Sequence, residues 1–451
     1  MEYPFWYVPF VGSPMLIPFY ALLHVLVSHF AVGGGILIWL GLLKAYREND
    51  REFLSYLRSL TRFFVLITVV FGAITGVGIW WTIGLSSPQA TSTLIHTFVF
   101  GWATEWVMFV IELASALGLF YLWERFTPKA HKTVAFIYAL FAWLSLVVIT
   151  GITSFMATTG RWIETKNFWH GFFNPTFLPS VLTRTGGALL ISSLYIQLHL
   201  SLLKTSERIR EKVVKWTTRW ATFGLSLIVV GGLWWFGVVP EFIRIKVQTA
   251  PTVTIFMAIV AFLLLALSSV LILGPKRNPL WLSPPLAFLM IVIGAGGMVT
   301  GEFIREGTRK PYIVEKYLYS NGIRPERVDD ISKSGYTDQA KWVKFYISKK
   351  IPDLFGKNGK LSSDKIGKLS ESEKYLIGES IFHYQCGACH TTRGYNGLMD
   401  RIKEMDREML HDMIGYLDGI SNAMPPFAGQ EWEIDALTEY LKKWQKKEVI
   451  K

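Results

Sequence analysis

Met15–Leu43 reads MLIPFYALLHVLVSHFAVGGGILIWLGLL, an apolar run of membrane-spanning length that carries His24 and His29. About 20 such residues cross a bilayer as one helix, so this run predicts a first span carrying two buried imidazoles. Seven more runs of spanning length are present: Phe63–Ile83, Leu94–Leu122, Thr133–Ser154, Leu182–Leu203, Ala221–Val239, Thr252–Leu273 and Leu280–Phe303. The 451 residues are 51% hydrophobic and 15% aromatic, as a membrane protein requires. The expected architecture is all-α, an eight-helix transmembrane bundle. Residues 1–14 are nearly uncharged and run into a full span, so the first helix is expected to serve as the insertion signal.

The net charge of +12 invites a nucleic-acid reading, but its distribution excludes one. Sixteen cations fall between spans 1 and 2, 3 and 4, 5 and 6, and 7 and 8, from Lys44 to Arg277, whereas the opposite loops hold only Arg161, Lys166, Arg244 and Lys246. Basic loops face the cytoplasm, so both termini are expected outside it, in a bacterial inner membrane.

The apolar runs end near Phe303, and the remainder of the chain is polar and Lys-rich. It contains Cys386-Gly387-Ala388-Cys389-His390, and these two cysteines are the only ones in the chain. Two thiols at this spacing form thioethers to haem vinyls and the next histidine becomes an axial ligand, so the motif reads as covalent attachment of one haem c. Such attachment is completed outside the cytoplasm, in agreement with the charge bias. Ser372–Tyr384 and Glu431–Trp444 read as amphipathic helices flanking the motif. From Glu371 onward the chain resembles a small class I cytochrome c, making the last part of the fold a small extracytoplasmic cytochrome c domain. Ala423-Met424-Pro425-Pro426-Phe427 resembles that family's ligand loop, implying Met424 as sixth ligand, while His383 or His411 would give bis-His ligation instead. Met399, Met405, Met409 and Met413 are expected to be core residues. The domain expectation is 1–311 membrane bundle, 312–370 a partly ordered connector packing on it, and 371–451 cytochrome c.

Ionisable residues inside the spans are functional candidates by default. Span 3 opens with His96 and carries Glu105 and Glu112, whose seven-residue spacing turns roughly 700° and returns both carboxylates to nearly one face. Span 8 ends with Glu302, Arg305, Glu306 and Arg309. By depth, His24 and Glu105 lie roughly 15 Å from the same surface, the one at which span 8 ends. His199 lies deep toward the other side and is expected to be a packing or hydrogen-bonding residue.

The membrane portion, about residues 10–312, resembles subunit I of the cytochrome bd oxidase family. The likeness rests on His24 with Gly33 nine residues later, on Gly72-Ala73-Ile74-Thr75-Gly76, on the paired glutamates, on Trp123-Glu124-Arg125 and on Glu306-Gly307-Thr308-Arg309-Lys310-Pro311-Tyr312. It implies His24 as a haem-iron ligand, Glu306 at the high-spin haem, and Glu105 and Glu112 as ligand or proton-delivery groups. One or two non-covalent haems of b or d type are implied, with a second related membrane subunit. Arg184, Arg305 and Arg309 pair with propionates or snorkel to the interface. His29 and His96 are extra haem ligands or packing residues.

Departures from the family are as informative. Thr183 stands where a low-spin ligand belongs, leaving Met257 without its partner, and the quinol loop shrinks to about Pro240–Pro251. The expected function is therefore a membrane respiratory oxidoreductase subunit passing electrons between haem c and intramembrane haem, reducing dioxygen with a soluble or bound c-type cytochrome as donor. The alternative is a non-catalytic haem-bearing anchor relaying electrons from a larger respiratory complex.

Overall fold

The computed structural model describes residues 3–449; the outermost residues of the first and last expected domains lie outside the described residues. Among the described residues eight helices are long and apolar enough to cross a membrane: Ser13–Arg47, Arg51–Ser86, Val99–Tyr121, Pro128–Ser154, Phe177–Leu202, Glu207–Val238, Pro251–Lys276 and Pro284–Arg309, here spans 1 to 8. Each contains most of one apolar run read from the sequence, and the chain is a multi-pass membrane protein. Local chemistry sets several starts. Asp50, Thr127 and Ser206 each accept a backbone N–H through their side chains at the heads of spans 2, 4 and 6, satisfying donors that a helix start leaves open. Span 3 begins later than expected. Phe98 breaks the helix between Pro88–Thr97 and Val99–Tyr121, burying its ring against Phe155 and Phe168, so His96 sits on the preceding short helix.

The chain divides into two compact units. One comprises Ala21–Gly78 and Ile95–Thr308, and its core is built from Phe30, Leu37, Leu57, Phe64, Tyr138, Leu194 and their neighbours. Spans 5 and 6 approach to backbone contact, because a Cβ on Gly186 or Gly224 would stand 2.5 Å from the other's carbonyl oxygen. The link between spans 6 and 7 is a nine-residue helix, Glu241–Thr249.

The other unit comprises Met1–Tyr20, Ile79–Leu94 and Arg309–Lys451. Its composition corrects the expected domain plan at both ends. Residues 312–370, expected as a partly ordered connector, are folded. They form a short hairpin (Tyr312–Val314 with Leu318–Tyr319) and helices including Val328–Ser334 and Lys341–Lys350. Ile331, Val343, Ile347 and Leu354 share one buried core with Ile377, Phe382, Leu410, Leu437 and Tyr440. Glu433, fully buried, fastens this junction: its two carboxylate oxygens accept Tyr336 N–H (2.9 Å), Thr337 N–H and hydroxyl (both 2.6 Å) and Gln430 N–H (2.8 Å). The two amphipathic helices expected from the sequence are present as Glu371–Ile381, followed by a π-helical turn to Cys386, and Glu431–Val449. They cross in contact, with Gly378 against the Ala436 backbone.

Candidate functional sites

Within the C-terminal unit the cysteine motif sits on the turn that ends Phe382–Cys386. Cys386 is surrounded by apolar core, and burial followed by the nearby Cys389 pushes its thiol up to about 12. His390 is fixed at one ring nitrogen: its Nδ1 lies 3.0 Å from the Asn396 carbonyl, which can only accept, so Nδ1 carries the proton and Nε2 keeps its lone pair. Asn396 adopts a positive φ of 49° and returns its own amide to the Cys389 carbonyl at 2.8 Å, closing the loop on itself. That donor set, two thiols and an imidazole with free Nε2, fits covalent haem.

The Met424 segment is tied to the same turn. Gln385, the residue before Cys386, donates to Ala428 O (2.7 Å) and accepts from Ala428 N–H (3.2 Å). Met424 itself is half-buried, its N–H bonded to Ser421 O. The competing side chains are engaged elsewhere. Met399 is 2% exposed and Met405 and Met413 pack on the core, whereas Met409, expected in the core, is 55% exposed on the outward face of its helix. His383 stacks on Tyr7 at 4.1 Å, and burial lowers it to about 4; His411 reaches Glu431 at 3.1 Å.

Two contributions escaped the sequence reading. Residues 5–12 clamp the attachment loop: Phe10 forms a β-bridge to Gly394, accepts Tyr395 N–H at 2.7 Å, and the Tyr7 hydroxyl accepts Thr392 N–H. Gly394 is required there, at φ 110° and with its Cα pressed on the Phe10 backbone. Lys310, first residue after span 8, places its ammonium 3.5 Å from Cys389 Sγ, with the Ser320 hydroxyl at 3.6 Å. Neither carries a local motif; only the tertiary fold brings them in.

In the membrane unit His24 and His29 show the tautomer seen at His390. Thr75 donates its single hydroxyl proton to Phe71 O (2.8 Å), so toward His24 Nδ1 at 3.2 Å it must accept, and His24 Nε2 is left as the free donor atom. Gly76 gives the ring room, since a Cβ there would lie 3.2 Å from His24 Cε1. His29 Nδ1 donates to Val25 O (2.9 Å) and its ring edge faces Gly187 of span 5. These donors fit a non-covalent haem.

The paired glutamates are matched by a paired partner helix. Glu105 accepts from Ser145 and Glu112 from Tyr138, both at 2.9 Å, so the seven-residue spacing on span 3 meets a seven-residue spacing on antiparallel span 4. Glu302 is bound by Arg305 (Nε 2.8 Å) and also interacts electrostatically with Arg184, whose Nη1 reaches Thr150 at 3.4 Å. Arg305 is thus committed to a carboxylate. Glu306 is half-buried and Arg309 buried; Met257 is 40% exposed and His96 exposed. Thr183 bonds Pro179 O and presents no haem-ligating atom. His199 stacks on Phe63 at 4.9 Å. Among the described residues no three His, Cys, Asp or Glu side chains gather as a metal-ion site.

Comparisons with known proteins agree with this arrangement of helices. No curated protein matches the chain. In the solved bd oxidase from Geobacillus thermodenitrificans, the matching chain is 16% identical with a TM-score of 0.59, over 67% of this chain and 88% of that one, a likeness of fold. Residues 14–237, spans 1 to 6 with His24, Glu105 and Glu112, match the family model described as cytochrome bd terminal oxidase subunit I.

Proposed function

We propose that this chain is a subunit of a bd-like membrane respiratory oxidoreductase that takes electrons from a c-type cytochrome and reduces dioxygen. The observation that carries the reading is His24: it lies inside the segment matching the subunit I family, with Nδ1 committed to Thr75 and Nε2 free for iron. Cys386, Cys389, His390 and Met424 would hold one haem c, and His24, with Glu306 as a candidate second ligand, one or two haems of b or d type. Bound haem supplies one-electron exchange and, where a coordination position is open, the binding and reduction of dioxygen.

The protein's own part is positional and protonic. Glu105 and Glu112 hold protons at carboxylates backed by the Ser145 and Tyr138 hydroxyls, in a layer where bulk water is excluded. Arg184 and Arg309 supply positive charge for propionates. The reading includes a second related membrane subunit, a location in the bacterial inner membrane and both termini outside the cytoplasm.

A pyridine haemochrome spectrum of the purified protein should give haem c together with at least one non-covalent haem, and oxygen should be consumed with a reduced c-type donor. His24→Ala should remove the non-covalent signal and spare haem c. A protein that consumes no oxygen and whose reduced spectrum ignores carbon monoxide sinks the oxidase reading in favour of an electron-relaying anchor.

A further inference from the structure

At one rim of the membrane unit, spans 1, 4 and 6 border an open cavity of about 990 Å³. Its mouth carries four cations, Lys44 and Arg47 from the end of span 1, Lys132 from the start of span 4 and Arg219 from span 6. Lys44 and Arg47 lie 2.8 and 4.0 Å from Glu48, a carboxylate that also takes Lys212. Among the described residues no carboxylate stands within ion-pair distance of Lys132 or Arg219, and Lys132 rests over the Tyr46 ring at 5.9 Å. The charge at the mouth is therefore only partly balanced by the protein.

The walls are of a different kind. Leu40 and Leu43 line one side, and Trp216, Trp220 and Phe223, at i, i+4 and i+7 of span 6, line the other. Phe223 is half exposed and Leu43 is open as well. A ligand must bring negative charge to the rim and apolar substance to these walls. Inorganic phosphate answers only the first demand, and a zwitterionic lipid leaves the surplus cations unused. We propose that this cavity is a binding site for an anionic phospholipid, its phosphate held by Lys132 and Arg219 and its acyl chains on the span 6 aromatics.

The test is retention of lipid by the complete purified protein, read by native mass spectrometry after equilibration with mixed phosphatidylglycerol and phosphatidylcholine vesicles. The expected result is retained phosphatidylglycerol in preference to phosphatidylcholine. Lys132→Ala and Arg219→Ala should each weaken retention roughly fivefold and the double variant about 30-fold, with Lys132→Arg/Arg219→Lys close to the parent. Haem content and a monodisperse elution profile show that each variant is folded. Equal retention of the two lipids, unaltered retention in the double alanine variant, or displacement of the lipid by millimolar inorganic phosphate would each overturn the proposal.

Discussion

Replacing Gln385 by Leu should loosen the Met424 loop without touching any proposed ligand. Gln385 makes two hydrogen bonds to Ala428, donating to its carbonyl at 2.7 Å and accepting its N–H at 3.2 Å, in a position only 8% exposed. Leucine keeps the volume and removes both bonds. It also orphans a buried carbonyl and a buried N–H, Ala428 being fully buried. Each made bond contributes about 1 kcal/mol and each stranded buried group costs about 1–3 kcal/mol, so partial relaxation leaves roughly 2–4 kcal/mol against the docked loop. That is about a 30- to 1000-fold shift toward the undocked state. The assay is stepwise denaturant titration of the oxidised protein, following the charge-transfer absorption of methionine-ligated haem. Loss of that band should move to markedly lower denaturant in the variant, well before the helices unfold, and the reduced haem c should acquire carbon monoxide reactivity. Met424→Ala should abolish the band outright. An unchanged denaturant midpoint in Gln385→Leu, with Met424→Ala still showing the band, would refute both the tie and the ligand.

Three further outcomes are set by the geometry. Thr75→Val deprives His24 Nδ1 of its acceptor, so affinity for the non-covalent haem should fall about 10- to 100-fold, as measured by haem titration of the depleted protein. Lys310→Gln removes a positive charge 3.5 Å from Cys389 Sγ; an interaction of about 1 kcal/mol corresponds to about 40 mV, so the haem c midpoint potential should drop by roughly that amount in a redox titration. Burial holds Glu433 above its ordinary value of 4.5 despite the four bonds it accepts. The folded unit then keeps a proton the unfolded chain releases, so this group's contribution to stability is greatest below about pH 4.5 and declines as pH rises toward the folded value. Denaturation of Glu433→Gln, measured at several pH values, should lack that slope.

The membrane fold was legible because hydrocarbon leaves few options: each apolar run of spanning length became a helix, with some ends within a residue and others displaced by a turn or more. Phe98 shows where that reading stopped. The run Leu94–Leu122 contains no proline to mark a stop, and the helix breaks where Phe98 packs its ring on Phe155 and Phe168. The order in residues 312–370 is hidden for the opposite reason. Its Lys, Ser and Gly content conceals a sparse set of apolar residues, Ile331, Val343, Ile347 and Leu354, whose core partners, like the Glu433 that binds Tyr336 and Thr337, come from far later in the chain.

Histidine identity was legible and histidine role was not, because role depends on which ring nitrogen is spoken for. Three imidazoles share one arrangement. Nδ1 of His24 faces the Thr75 hydroxyl, whose proton goes to Phe71 O, that of His29 the Val25 carbonyl and that of His390 the Asn396 carbonyl, so in each case the oxygen accepts. His199 is turned the other way, with Nε2 toward the Ser59 hydroxyl at 3.4 Å and the ring stacked on Phe63, while His131 meets the Tyr46 hydroxyl, a partner able to donate or accept, and packs its ring on Trp123 at 4.0 Å. An iron ligand needs a neutral ring held by its far nitrogen, so the first three are prepared for the task and His199 is not. By that criterion His29, expected as either ligand or packing residue, has the same ring orientation as His24. His24→Ala and His29→Ala compared side by side give the decisive contrast. If His29 binds iron, its loss removes a haem signal as His24→Ala does; if it only packs, haem content stays constant while stability falls.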